Sequence, residues 1–231
     1  MDIALFTMDG WLFILRWLHV FFGIVWIGLL YYFNFVQGAF FAETDGPTKS
    51  KAIQQLVPRA LWWFRYGALF TVVAGLILLA GRMHMGFNFH TSWGILMNIG
   101  MLFGIIMFLN VWLVIWPNQK IVIASAIAAA SGGAADPAAA GAAAKAGLAS
   151  RTNTLFSIPM LFCMTAANHL TINLSDTSNF GLAYGLITLI AIALEFNALK
   201  GKMGPLTTIK GVIHSGFALA VVVYGIIEFA L

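Results

Sequence analysis

Apolar residues run along this chain in six long blocks, at about 11–38, 57–81, 93–116, 152–173, 180–199 and 208–230. Each is near the ~20 residues that an α-helix needs to cross a hydrocarbon core. The breaks between them are short and rich in turn residues: Gly46-Pro47, Gly81 to His90, Ser175-Asp176, and Lys200-Gly-Lys202-Met-Gly204-Pro205. The pattern predicts an all-α fold, a polytopic transmembrane bundle of six spans forming a single domain over residues 1–231. Only 118–150 is left as a sizeable interval outside the spans, and it is rich in Ala and Gly. There Asp136-Pro137 is expected to cap and start a short helix ending near Gly147. The interval is read as a cytoplasmic hairpin or mobile linker without chemistry.

Composition sharpens the class. The chain is 61% hydrophobic and 9% charged, with mean hydropathy +0.92, more apolar surface than a water-soluble domain can hide. Ten basic residues (Lys49, Lys51, Arg59, Arg65, Lys120, Lys145, Arg151, Lys200, Lys202, Lys210) fall in or beside the first, third and fifth connections, against Arg16 and Arg82 on the other side. This bias predicts that the ten face the cytoplasm and that both termini are periplasmic, in a bacterial inner membrane. The net charge of +4 therefore reflects topology, and nucleic acid is not expected as a partner. Residues 1–10 lack a basic leader and a cleavage motif, so the first run is read as a retained anchor. The lone Cys163 excludes a disulfide framework, and no Cys-x-x-Cys-His motif for covalent haem occurs. Trp11, Trp17 and Trp93 fit an outer aromatic belt, and Trp62, Trp63 and Trp116 an inner one.

Candidate chemistry begins with Arg16-Trp-Leu-His19-Val-Phe-Phe-Gly23-Ile-Val-Trp26. At 100° per residue Arg16, His19, Gly23 and Trp26 share one stripe, with Gln37 further along it. An imidazole about 12 Å inside a span is expensive in lipid and calls for a partner. Haem b iron is the expected one, with Gly23 leaving room for a flat macrocycle and Arg16 pairing with a propionate. The alternative is an imidazole hydrogen-bonded to a neighbouring helix. His169, near the outer end of the fourth span, is the expected second axial ligand. His214 lies in the inner half, with Lys210 one turn away for a propionate, either as a second site or leaning up to complete the first. His84 and His90 are substitutes from a loop, and His84 with Met83 and Met85 also admits a copper or zinc reading. Asn34, Gln37, Asn110, Glu195 and Asn197 lie toward the inner half. They either bind a polar substrate or quinone or join helices by hydrogen bonds. Gly100-x-x-x-Gly104 and Gly181-x-x-x-Gly185 are read as core packing.

Three stretches carry a resemblance. Arg16-Trp-Leu-His19-Val-x-x-Gly23-Ile-x-Trp26-Ile-Gly28, Asn110-Val-Trp-Leu-Val-Ile-Trp-Pro117-Asn118-Gln119 and Asn153-x5-Pro159-x2-Phe162-x-Met164-x3-Asn168-His169 are similar to the N-terminal membrane domain of bacterial membrane-bound urate oxidases. The first is shared with copper-resistance membrane proteins and haem-containing protoporphyrinogen oxidases. The resemblance implies a membrane oxidoreductase that delivers electrons to a cytochrome c domain. With the chain ending at Leu231, the expected acceptor is a separate periplasmic cytochrome c or a respiratory complex, and the reductant a quinol or small molecule. The alternatives are a non-catalytic subunit packed in a redox complex, or a porphyrinogen-oxidising or copper-handling protein.

Overall fold

A computed structural model describes residues 3–231. All regular structure among them is helical: α1 (Met8–Tyr31), α2 (Gly38–Glu43), α3 (Gly46–Gln55), α4 (Val57–His84), α5 (Ser92–Leu109), α6 (Trp116–Ala130), α7 (Ala139–His169), α8 (Phe180–Lys200) and α9 (Ile209–Ala230). Side-chain caps start the helices where the sequence offers them. Thr7, Asp45, Thr91, Asn179 and Thr208 each accept a backbone N–H three residues on, meeting donors that the first turn leaves unpaired.

Two helices are longer than their apolar runs. π-helical turns at Tyr32–Gln37 and Asn110–Ile115 join α1 to α2 and α5 to α6. The continuous helices are then 36 and 39 residues long. Neither π turn is visible in the hydrophobic pattern, which registers polarity rather than the backbone hydrogen-bond register. Each contains a buried asparagine, Asn34 or Asn110.

Five helices are long and apolar enough to cross a membrane: Met8–Glu43, Val57–His84, Ser92–Ala130, Phe180–Lys200 and Ile209–Ala230. The expected fourth span falls on α7, which is not among them. Its Thr152, Asn153, Thr154 and Ser157 lower its hydropathy, and all four are buried. α7 is the central helix, packed on α5, α6, α8 and α9 and touching α1. Polar groups are tolerated there because other helices, not lipid, surround them. Phe103 of α5 and Phe156 of α7 meet in the core at 5.3 Å between ring centroids.

The Ala/Gly-rich interval is a helical hairpin. α6 runs on to Ala130, Asp136 N–H donates to Ser125 Oγ, and α7 starts at Ala139. The expected short helix does not end near Gly147. Alanine, the best helix former, carries α7 through it, and a Cβ at Gly147 would lie 3.6 Å from Met203 Cε. Only one of the two Gly-x-x-x-Gly motifs packs within the chain. A Cβ at Gly100 would lie 3.1 Å from Met164 of α7, whereas at Gly185 it would meet nothing within 4 Å.

Candidate functional site

The stripe on α1 lies against α4. There a row of small residues, Gly67, Thr71 and Gly75, lets the two helices approach closely. A Cβ at Gly67 would stand 3.2 Å from the Trp26 nitrogen, and one at Gly75 would stand 3.0 Å from the His19 ring. Gly23 faces Thr71, whose Cγ2 is 3.9 Å from the position of a Cβ there. Trp26 is fully buried and its indole N–H has no partner.

His19 is half-buried, and its Nδ1 is 2.8 Å from the Thr71 carbonyl. A carbonyl only accepts, so Nδ1 carries the proton and donates, leaving the Nε2 lone pair available. The other histidines lie elsewhere. His169 ends α7 and is exposed, and His214 is exposed on α9 one turn after exposed Lys210. Exposed His84 ends α4, and His90 stacks edge-on to Phe180. Arg16 is exposed near the start of α1. None of the hydrogen bonds or aromatic contacts of the described residues links two histidines. No group of three or more His, Cys, Asp or Glu is gathered among the described residues.

The polar residues that the sequence places toward the inner half divide into two sets. Asn110 Nδ2 donates to Asn153 Oδ1 at 3.0 Å and Glu195 Oε2 at 2.9 Å, and Asn153 Nδ2 donates to the Met107 carbonyl at 2.9 Å. This network ties the second π turn to α7 and α8. Asn34 Nδ2 donates to the Leu30 carbonyl and to Ser150 Oγ, joining α1's π turn to α7. Asn197 closes the end of α8 by donating to the Lys202 carbonyl. Asn34, Asn110 and Glu195 thus join helices, one of the two roles expected of them, whereas Asn197 bonds only to the turn after its own helix.

Gln37 does neither. Its Oε1 is buried without a partner, as is Nη1 of Arg151. Both line a cavity of about 290 Å³ that also takes in Asn34, Gln119 and Ser150 above an apolar floor including Phe64 and Ile115. In the sequence Arg151 stands out only as one of the basic residues that orient the bundle. Its signal is burial without a partner, which charge counting does not register. Arg65 is better partnered: its guanidinium stacks on Trp116 at 3.4 Å and Nε donates to the Leu61 carbonyl. A second, smaller cavity of about 160 Å³ lies between Asn98 of α5 and Tyr184 of α8. Neither cavity is lined by a histidine.

A bundle of apolar helices around a polar-cored central helix defines a multi-pass membrane protein. The chain belongs to the urate oxidase N-terminal family, whose model matches residues 81–225, from the end of α4 through most of α9. His19, Asn34 and Gln37 precede that match, and Arg151, His169 and His214 fall inside it. No curated protein and no solved structure matches the chain.

Proposed function

We propose that this chain is a haem-carrying membrane module of a redox enzyme, working in the inner membrane of a bacterium. α7 is its sixth span, since 31 residues reach about 46 Å at 1.5 Å each, enough to cross. Six spans put both termini on one side, and the basic end faces the cytoplasm. The observation that carries the haem reading is the Nδ1–H of His19 held by the Thr71 carbonyl. Metal-bound histidines generally donate their second ring N–H in this way, fixing tautomer and ring orientation.

The donor chemistry of a neutral imidazole with a free Nε2 suits haem iron, and His19, together with His169 or His214, would hold it. Arg16 and Lys210, a turn away from His19 and His214, would hold propionates. Bound there, haem b supplies one-electron transfer at a potential tuned by its ligands and burial. Thr71 orients the imidazole, and Gly75 admits the ring against α4. Electrons would enter from urate, the substrate in the family's name, or from a quinol, and leave to a cytochrome c or a respiratory complex.

The exposure of His169 and His214 favours a second reading, a non-catalytic subunit whose outward histidines meet a partner chain. A dithionite-reduced minus air-oxidised spectrum of the purified protein separates the two. The haem reading predicts a b-type α-band, after which urate and a quinol are tried as reductants. A flat spectrum from a folded protein produced with haem supplied overturns it.

A further inference from the structure

The cavity at the basic end of the bundle sorts its unanswered polar atoms onto two walls. The π turn after α1 supplies acceptors. Gln37 Oε1 is buried there without a partner. Asn34 makes both of its hydrogen bonds through Nδ2, to the Leu30 carbonyl and Ser150 Oγ, which leaves Oδ1 free. The wall on α7 supplies donors. Arg151 Nη1 is buried without a partner. The Ser150 hydroxyl accepts from Asn34, and its own proton has no acceptor among the described residues. All four residues line the cavity. A guanidinium set near amide oxygens suits a ligand that is acidic on one side and carries O–H groups on the other. We propose that the cavity binds the headgroup of an anionic phospholipid with free hydroxyls, of the phosphatidylglycerol type. The Arg151 guanidinium and the Ser150 hydroxyl donate to its phosphate oxygens. The Gln37 and Asn34 oxygens accept from its glycerol hydroxyls.

Depth, charge and size agree with that ligand. Leu61 and Phe64 of the lining flank the exposed pair Trp62 and Trp63, and Ile115 of the lining precedes Trp116. The cavity therefore sits at the level of the expected inner aromatic belt, where headgroups lie. Gly38 and Ala143 also line it and are exposed, so it opens outward between α2 and α7. Ten of the twelve basic residues belong to this end of the bundle, which draws acidic lipid to it. A single guanidinium matches the single charge of a phosphodiester. An ammonium headgroup would bring its own cation beside Arg151, against that field. An apolar cavity of roughly 150 Å³ takes a benzene ring, so about 290 Å³ has room for a phosphate and a glycerol. No histidine lines the site, so it stands or falls apart from haem.

The test is native mass spectrometry of lipid adducts, with the melting temperature of the full chain in phosphatidylcholine nanodiscs doped with one second lipid. Phosphatidylmethanol keeps the charged phosphodiester and lacks the hydroxyls, and phosphatidylethanolamine replaces them with an ammonium. The expected result is one phosphatidylglycerol held per chain, bound severalfold more tightly than phosphatidylmethanol and at least tenfold more tightly than phosphatidylethanolamine. Arg151→Gln should weaken phosphatidylglycerol binding tenfold or more, and Arg151→Lys less. Gln37→Leu should shrink the preference over phosphatidylmethanol, which keeps the proposal testable even if Arg151→Gln fails to fold. Arg59→Gln removes an exposed charge outside the cavity and should change binding little. Equal binding of phosphatidylglycerol and phosphatidylmethanol by the wild type overturns the site, as does full retention of phosphatidylglycerol in folded Arg151→Gln. Stabilisation by millimolar glycerophosphoglycerol or inorganic phosphate, with no response to the lipid, assigns the cavity to a free anion and overturns it too. So does the absence of any response to all of these probes.

Discussion

Gly67 and Gly185 occupy the same kind of sequence, a glycine in an apolar helix, but their surroundings differ. At Gly67 a methyl group would press on backbone atoms of α1, 3.2 Å from Trp26 N and 3.4 Å from the Phe22 oxygen. Gly67→Ala is therefore expected to lower stability by about 1–3 kcal/mol, through strain that a rigid backbone cannot relieve. At Gly185 nothing lies within 4 Å, and Gly185→Ala is expected to stabilise by about 0.5–1 kcal/mol through helix propensity. Unfolding titrations in mixed micelles check both, and equal effects would contradict the packing described. At this scale His19 was legible in the sequence, because an imidazole among Phe, Val and Ile is conspicuous. The unpartnered Arg151 and Gln37 were not, since their distinction lies in the neighbours they lack.

Among the elements, the apolar runs located the helices well wherever lipid or core surrounds them on most sides. They understated α7, whose polar residues face other helices, and they overlooked both π turns. Two predictions belong here. Asn110→Leu removes the donor to both Asn153 and Glu195. The account predicts a loss of about 1–3 kcal/mol in the same titrations, with weaker holding of α8 seen as faster hydrogen exchange there. The other concerns α3, outside the spans. The Thr48 N–H and hydroxyl both donate to the Asp45 carboxylate, holding its carboxyl below the ordinary value. The folded value is the lower one, so the cap contributes fully above the unfolded pKa of about 3.9. Its contribution is lost as pH falls through the lowered folded value. Intrinsic-rate-corrected exchange of the Thr48 amide should quicken over that acid range in the wild type, and Asp45→Asn should abolish the dependence.

For the whole molecule, the proposed topology is a bundle of six crossings, α7 among them, with its basic end in the cytoplasm. Cysteine labelling tests this on a Cys163→Ser background. Cysteines at Ser131 and Thr177 should react from opposite sides of the membrane, Thr177 from the periplasm, and reaction of both from one side would contradict the crossing of α7. The central claim remains the chemistry of one imidazole on this frame. Haem-to-protein stoichiometry, measured by pyridine haemochrome on wild type and His19→Ala purified with haem supplied, tests it most directly. The account predicts stoichiometric haem b in the wild type and loss of at least one haem per chain in His19→Ala, with the helical fold retained. A folded His19→Ala protein with its full haem complement and an unchanged reduced spectrum would contradict it.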